Sequence, residues 1–414
     1  MSPEQGPLLA RIAREFGTPV WVYDASSIRA QIEQLRRFDV IRYAQKALSN
    51  ISVLRLMRED GVLVDSVSLG EVERALAAGY ATSGDPAPIV FTADLFDRRT
   101  LARVVELDVP VNAGSPQMLE QVGEAHPGHK VWLRVNPGFG YGHSRKTNTG
   151  GEHSKHGLWH ESLDEAYAVI DRYDLDLVGL HMHIGSGVDY GHLEQVCQAM
   201  VQQVRASGRD IKAISAGGGL TVPYRPDQPV VDTLHYFELW DAARSRIERH
   251  VGHPVQLEIE PGRFLVAQAG VLLAEVRAHK PMGSNYFVLV DAGFNDLMRP
   301  AMYGSYHRIS VLDPSGAERT GEARETVVAG PLCESGDVFT QTDGGEVVSV
   351  PLPAADVGDL VVFHDAGAYG SAMSSNYNTR PLIPEVLTDG DEVRLARRRQ
   401  TVDDLLALER DLGG

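Results

Sequence analysis

Lys46 closes a short apolar run, Val40-Ile41-Arg42-Tyr43-Ala44-Gln45-Lys46-Ala47. The run reads as a buried strand, and its end delivers a primary amine where most folds place a small or polar residue. Burial lowers the pKa of such an amine and makes it a Schiff-base nucleophile. The competing reading is a solvated lysine at the start of a loop. Other patterns bear on the choice. Asp65 sits inside the apolar run 62–67, and His181-Met182-His183 runs into Gly185-Ser186-Gly187. Gly217-Gly218-Gly219 is an uninterrupted triple, and Glu260 precedes Pro261-Gly262-Arg263. Glycines let backbone N–H groups approach a phosphate closely, and a helix N-terminus adds a favourable dipole. Each pattern also has a plainer reading: a tight turn for the glycines, a core histidine for His183, a salt bridge to Arg263 for Glu260.

The elements that must position these residues are legible as a period. Apolar runs at 41–45, 62–67, 89–93, 109–113, 130–136, 177–184, 211–216 and 255–260 alternate with helix-like segments such as Ile51–Asp60, Gly70–Gly79, Arg99–Leu107 and His192–Ser207. Eight βα units in some 220 residues imply a closed (β/α)8 barrel, an α/β fold, in preference to an open doubly wound sheet. Ser68 with Glu71 and Ser162 with Glu165 fit the capping box. Ser115 before Pro116 fits an N-cap, and Gly61 and Gly79 fit helix ends. Chemistry in such a barrel sits at the C-terminal ends of the strands. Lys46, Asp65, Arg134, His181, His183, the triple glycine and Glu260 all fall at or near those exits.

The barrel is expected over residues 25–270. Beyond it, short Val- and Leu-rich runs at 271–278, 286–291, 326–330, 346–352, 359–364 and 392–397 read as an antiparallel β-domain, with a hairpin turn at Asp389-Gly390. Residues 1–24 are expected to join that domain, Thr18–Tyr23 as a strand, and Thr401–Leu408 reads as a closing helix.

A lysine, an imidazole, a glycine-rich turn and a carboxylate on one rim fit one cofactor, pyridoxal 5′-phosphate. Lysine forms the Schiff base and the N–H groups hold the phosphate. The imidazole stacks on the ring, and the carboxylate keeps the pyridine nitrogen protonated. Composition agrees with a soluble enzyme. The net charge is −17 over 414 residues, with no basic face for nucleic acid. No apolar run reaches the length of a membrane span. Only two cysteines occur, Cys197 and Cys333, and no secretion signal is evident, so a cytoplasmic setting is expected.

With these residues in place, the chain resembles the alanine-racemase-like (fold type III) pyridoxal-dependent decarboxylases, and among them those acting on meso-diaminopimelate. The resemblance covers Tyr43–Ala47, His181–Gly187, the triple glycine, Glu260–Arg263, Asn295–Tyr303, Gly330–Asp337 and Gly367-Ala368-Tyr369-Gly370. It implies that Lys46 carries the cofactor, that Asp65 and His183 flank the ring, and that Glu260 pairs with its nitrogen. Ser186, Gly219, Gly262, Arg263 and Tyr369 would hold the cofactor, mostly at its phosphate. It further implies that Cys333 donates a proton across the interface of a homodimer with shared active sites. The far end of meso-diaminopimelate carries a second amino-acid group. Its carboxylate suits Arg299, helped by Arg263 and Tyr303, and its ammonium suits Glu334; Tyr369 also lies on the substrate side. An ion pair with Asp296 is the competing reading of Arg299. Sister decarboxylases acting on ornithine, arginine or carboxynorspermidine, a non-catalytic cofactor-binding protein and an amino-acid racemase are the rival readings. The stretch from His143 to Lys155 carries no assigned chemistry.

Overall fold

A strand with nearly every residue buried needs cover on both faces, and the eight runs between residues 40 and 260 obtain it by closing on themselves. The computed structural model describes residues 5–140, 150–183, 185, 187 and 189–410. The chain falls into two units, one of Ala30–Val222 and Val230–Leu265, the other of Met1–Arg29, Pro223–Pro229 and Val266–Gly414. Strand β1 (Val20–Asp24) belongs to the second. The first is a ring of β2 (Val40–Ala44), β3 (Leu63–Ser66), β4 (Ile89–Ala93), β5 (Val111–Ala113), β6 (Lys130–Asn136), β8 (Asp176–His181), β9 (Ala213–Ser215) and β10 (Gln256–Ile259). A two-residue strand, β7 (Leu158–Trp159), pairs with β6 alone and lies outside the ring. All eight ring ladders are parallel, and β10 closes onto β2 with Ile259 opposite Ile41.

Near-continuous apolar strands are what a parallel sheet covered on both faces requires. Helices supply the outer cover. Ile51–Glu59 buries Val53, Leu54, Leu56 and Met57, and Asn50 caps it by accepting from the Ser52 N–H. Ser115 caps Pro116–Ala125 by accepting from the Met118 N–H. Gly61 and Gly79 take positive φ just past their helices. Ser68 accepts from the Glu71 N–H at 3.2 Å, but the Glu71 carboxylate returns to the N–H of Val67 at 2.8 Å, one residue before the cap. Ser162 makes no side-chain cap. Its N–H is tied to the Trp159 carbonyl, which turns its backbone away from the extended geometry a cap uses.

The second unit is a mixed sheet, which corrects the antiparallel β-domain expected above. Strand β1 lies antiparallel to β11 (Gly270–Met282) and parallel to β17 (Glu385–Asp389). Strand β12 (Asn285–Val290) lies antiparallel to β11 and parallel to β14 (Ala323–Ala329). Strand β15 (Val350–Pro353) pairs with β14. Strand β16 (Leu360–Phe363) pairs with β11 and with β13 (Ile309–Leu312), and β18 (Glu392–Arg397) pairs with β17. Only strands joined by tight turns are forced to run antiparallel; β1 and β17 stand at opposite ends of the chain, so no such constraint applies. Strands β13 and β17 add to those expected from the sequence. Helix Gly6–Phe16 buries Leu9, Ala10 and Ile12 against Val20, Val22, Val271, Leu273, Val362 and Val386. Among the described residues, no helix is long and apolar enough to cross a membrane.

Candidate active site

The turn bearing Lys46 is held from several sides. It is a single 3-10 turn, Gln45–Ala47, directly after β2. The buried Gln45 amide donates to Ser66 Oγ at 2.6 Å and to the Glu71 carbonyl at 3.1 Å, and its oxygen accepts from Ser49 Oγ. Tyr43 donates its hydroxyl to the Leu48 carbonyl at 3.0 Å. The Ala44 N–H donates to the Pro261 carbonyl, and a Cβ at Gly262 would press on Ala44 and Ala47, so the exits of β2 and β10 are locked together. The Lys46 side chain itself is exposed, not buried as expected, although its neighbours Gln45 and Ala47 are buried; the turn lies past the last rung of the β2–β3 ladder, at Ala44. Its charge still acts on Asp65, Glu71 and His183.

Beneath the turn, the lumen of the ring is polar. Arg134, His181, Ser215 and Glu258 are successive register partners on β6, β8, β9 and β10. Arg42 reaches Glu258 with two bonds of 2.9 and 3.2 Å and also donates to the carbonyl of Ala87 at 2.8 Å. Two residues on, Glu260 accepts from His181 Nε2 at 2.8 Å and from Ser215 Oγ at 3.0 Å. This replaces the pairing with Arg263 considered from sequence. Burial opposes ionisation of Glu260, but the charge and hydrogen bond of His181, with Arg42 and Ser215, hold its pKa down to about 2. Asp65 lies opposite Ala44 on β3, and burial together with repulsion from Glu260 pushes it up, against the pull of Lys46 and the Thr92 hydroxyl. Two carboxyls of one lumen therefore divide the roles: Glu260 is held ionised, while Asp65 is pushed towards its protonated form. Asp65 Oδ1 and His181 Nδ1 are buried polar atoms with no hydrogen-bond partner among the described residues.

The triple glycine is required by packing first. A Cβ at Gly217, Gly218 or Gly219 would run into the carbonyls of Met182, Glu260 and Gly185 respectively, and Gly217 and Gly219 take positive φ. Two of the three N–H groups are used within the protein: Gly217 donates to Ser215 Oγ at 3.1 Å and Gly218 to His183 Nδ1 at 2.9 Å. The second bond makes Nδ1 of His183 an acceptor. Burial, then the cations Arg134 and Lys46, hold that imidazole neutral. Among the described residues, Gly219 alone of the three keeps an N–H without a partner. Ser186 lies outside the described residues. A flat, neutral imidazole, an ionised carboxylate, two unpartnered polar atoms and an open N–H fit a phosphorylated pyridine cofactor.

In the second unit, Arg299 is buried at the start of the helix Arg299–Tyr303. It donates to Ser305 Oγ at 3.2 Å, and its guanidinium carbon lies 5.8 Å from the Tyr224 ring and 6.0 Å from the Tyr369 ring. Asp296 does not pair with it; that carboxylate accepts from the N–H of Gly293 and the amide of Asn295. Tyr303 is half-buried at the helix end, and Tyr369 holds a left-handed backbone at φ 57°. Cys333 and Glu334 are exposed neighbours on the loop after β14, and the Cys333 N–H donates to Asn378 Oδ1 at 2.9 Å.

Sequence reasoning left Arg42, Glu258, Ser215, Thr92 and Asn378 unassigned. A signal existed for the first two. A strand alternates its side chains, so residues two before Ala44 and two before Glu260 share the lumen face, and a charged residue in a core strand demands a partner.

Comparison with known proteins adds a family. Residues 25–267 match the family described as pyridoxal-dependent decarboxylase, pyridoxal binding domain. The chain is 74% identical over 408 residues to the diaminopimelate decarboxylase of Streptomyces coelicolor, covering 99% of this chain and 93% of the relative. It is 66% identical over 402 residues to that of Escherichia coli K12, covering 97% and 96%. A crystal structure of a diaminopimelate decarboxylase with 66% identity superposes with a TM-score of 0.95, covering 98% of this chain and 96% of that one.

Proposed function

Because this chain belongs to the pyridoxal-dependent decarboxylase family, we propose that it converts meso-2,6-diaminopimelate to L-lysine and CO2, the last step of lysine biosynthesis. The observation that carries this reading is the buried Glu260 carboxylate, kept charged by His181 beside the turn that bears Lys46. Pyridoxal 5′-phosphate, when bound, supplies an electron sink for the carbon that loses its carboxylate. Lys46 is the residue to hold it covalently, since its turn is rigid and its amine reaches past the strand end. Glu260 can keep a proton on the ring nitrogen because it stays ionised throughout the neutral range. His183 presents a flat uncharged face, and Asp65 supplies a second carboxyl beside it. The Gly219 N–H, the backbone at Gly262 and Arg263, Ser186 and Tyr369 are the donors assigned to the phosphate.

The second unit is assigned the substrate. Arg299, with Tyr303, Arg263 and Tyr369, clamps the distal carboxylate, and Glu334 takes the distal ammonium. Cys333 returns a proton to the carbon that CO2 has left. The barrel of residues 25–270 in one protomer and the β-domain of residues 1–24 and 271–414 in its partner together complete each site, so the working unit is a homodimer, acting in the cytoplasm. Purified protein incubated with the cofactor and meso-diaminopimelate should release CO2 and L-lysine in equal amounts. Preferred turnover of ornithine, arginine or carboxynorspermidine would overturn the substrate assignment. No CO2 from any of them would overturn the reaction.

A further inference from the structure

The turn that contacts the Cys333 backbone holds unusual backbone geometry. Asn378 (φ 54°, ψ 26°) and Thr379 (φ 56°) are consecutive left-handed residues. Asparagine tolerates that region, but a β-branched threonine there is a true outlier. Such strain persists only where the surroundings over-determine it, and they do. Ser374 Oγ donates to the Asp296 carbonyl, the Ser375 N–H donates to the Asn295 carbonyl, and the Asn376 amide donates to the Arg380 carbonyl at 2.8 Å. The strained turn between these anchors delivers one polar atom, Asn378 Oδ1, to the Cys333 N–H. The preceding N–H, that of Leu332, is received by Asp337 Oδ2 at 2.7 Å, and Asp337 Oδ1 takes the Phe294 N–H at 2.7 Å. Phe294 in turn packs against Tyr377 with the rings tilted by 32°, 5.4 Å between centroids, and the Tyr377 hydroxyl faces Glu334 Oε2 at 3.5 Å.

We propose that Asn378 is a positioning residue for Cys333: its side-chain oxygen fixes the backbone of the Cys333–Glu334 pair so that the thiol is held where its proton is needed. This rests on the assignment of Cys333 as proton donor. Two successive N–H groups of the loop are each caught by a side-chain oxygen, that of Leu332 by Asp337 at the loop's own end and that of Cys333 by Asn378 from outside it, which leaves Cys333 little freedom although its side chain is exposed. A loop serving only to connect strands would not need a threonine in the left-handed region.

The test replaces the oxygen without disturbing the turn. Asn378→Gly keeps the left-handed backbone at no steric cost and removes the acceptor. Hydrogen exchange at the Cys333 amide, read in the holoenzyme, should quicken about ten-fold, and kcat should fall about five- to ten-fold with KM within about two-fold, as loss of one hydrogen bond implies. Thr379→Gly relieves strain and keeps the oxygen, so exchange and kcat should stay within about two-fold of the parent. Unchanged exchange at Cys333 in Asn378→Gly, or equal losses in both variants, overturns the proposal. A Cys333→Ala enzyme with undiminished turnover would instead overturn the proton-donor assignment, and the kinetic part of the proposal with it.

Discussion

Removal of the Arg42 guanidinium should unmask how much the lumen of the ring depends on one ion pair. Arg42 and Glu258 are 1% and 2% exposed, joined by two bonds of 2.9 and 3.2 Å, with a further bond from Arg42 to the Ala87 carbonyl. In Arg42→Met the chain stem is replaced at similar volume, and the carboxylate loses its bidentate partner in a buried place. It must then take up a proton to stay buried. At pH 7.5 that lies a little over three pH units above the ordinary glutamate value, which at 1.36 kcal/mol per unit costs about 4 kcal/mol. The figure agrees with the roughly 3–5 kcal/mol lost when one member of a buried pair is removed. The cost has a pH signature. A carboxyl that must be protonated in the folded chain binds more protons there than in the unfolded chain, so stability falls as pH rises. Arg42→Met should therefore be only mildly destabilised at pH 5 and severely at pH 8. The double variant Arg42→Met/Glu258→Leu, with neither charge, should return to within about 2 kcal/mol of the parent at both. Urea unfolding of the three chains at the two pH values measures this. A single variant within about 1 kcal/mol of the parent, or one whose loss is equal at pH 5 and 8, would refute the reasoning.

Three further outcomes follow from the same geometry. Lys46→Ala should lose turnover, and borohydride should no longer fix the cofactor to the chain, as mass spectrometry of the peptide around residue 46 would reveal. Arg299→Ala should lower kcat/KM for meso-diaminopimelate by at least about thirty-fold, the cost of leaving a buried carboxylate unpaired being roughly 2–5 kcal/mol; unaltered kinetics would remove the clamp role. Asp296, which burial raises to about 7 against the bond from the Gly293 N–H, binds a proton in the folded state that it lacks unfolded, so its contribution declines between pH 4 and 7. Asp296→Asn, which needs only a flip of the neighbouring Asn295 amide, should raise stability at pH 8 by more than about 1 kcal/mol and leave it unchanged near pH 4; equal effects at both would sink this account.

Local pattern and long-range partnership divide cleanly in this chain. The alternation of apolar runs with amphipathic segments is set by neighbours in sequence, so the eight strands, their parallel order and the exits bearing Lys46, Asp65, His183 and Glu260 could be read from the residues alone. What each exit residue touches could not. Glu260 finds His181, 79 residues away, and Arg42 finds Glu258, 216 residues away; such pairings depend on which strands the closed ring makes adjacent. The glycine triple looked like a set of free donors, yet Ser215 and His183 take two of its three N–H groups. Lys46 looked buried because its strand is, but the turn carries its side chain beyond the enclosed lumen. The parallel pairing of β1 with β17 and the strained Asn378–Thr379 turn came from the same source. Hydrogen bonds and burial are decided by proximity in space, and only the folded chain creates that proximity.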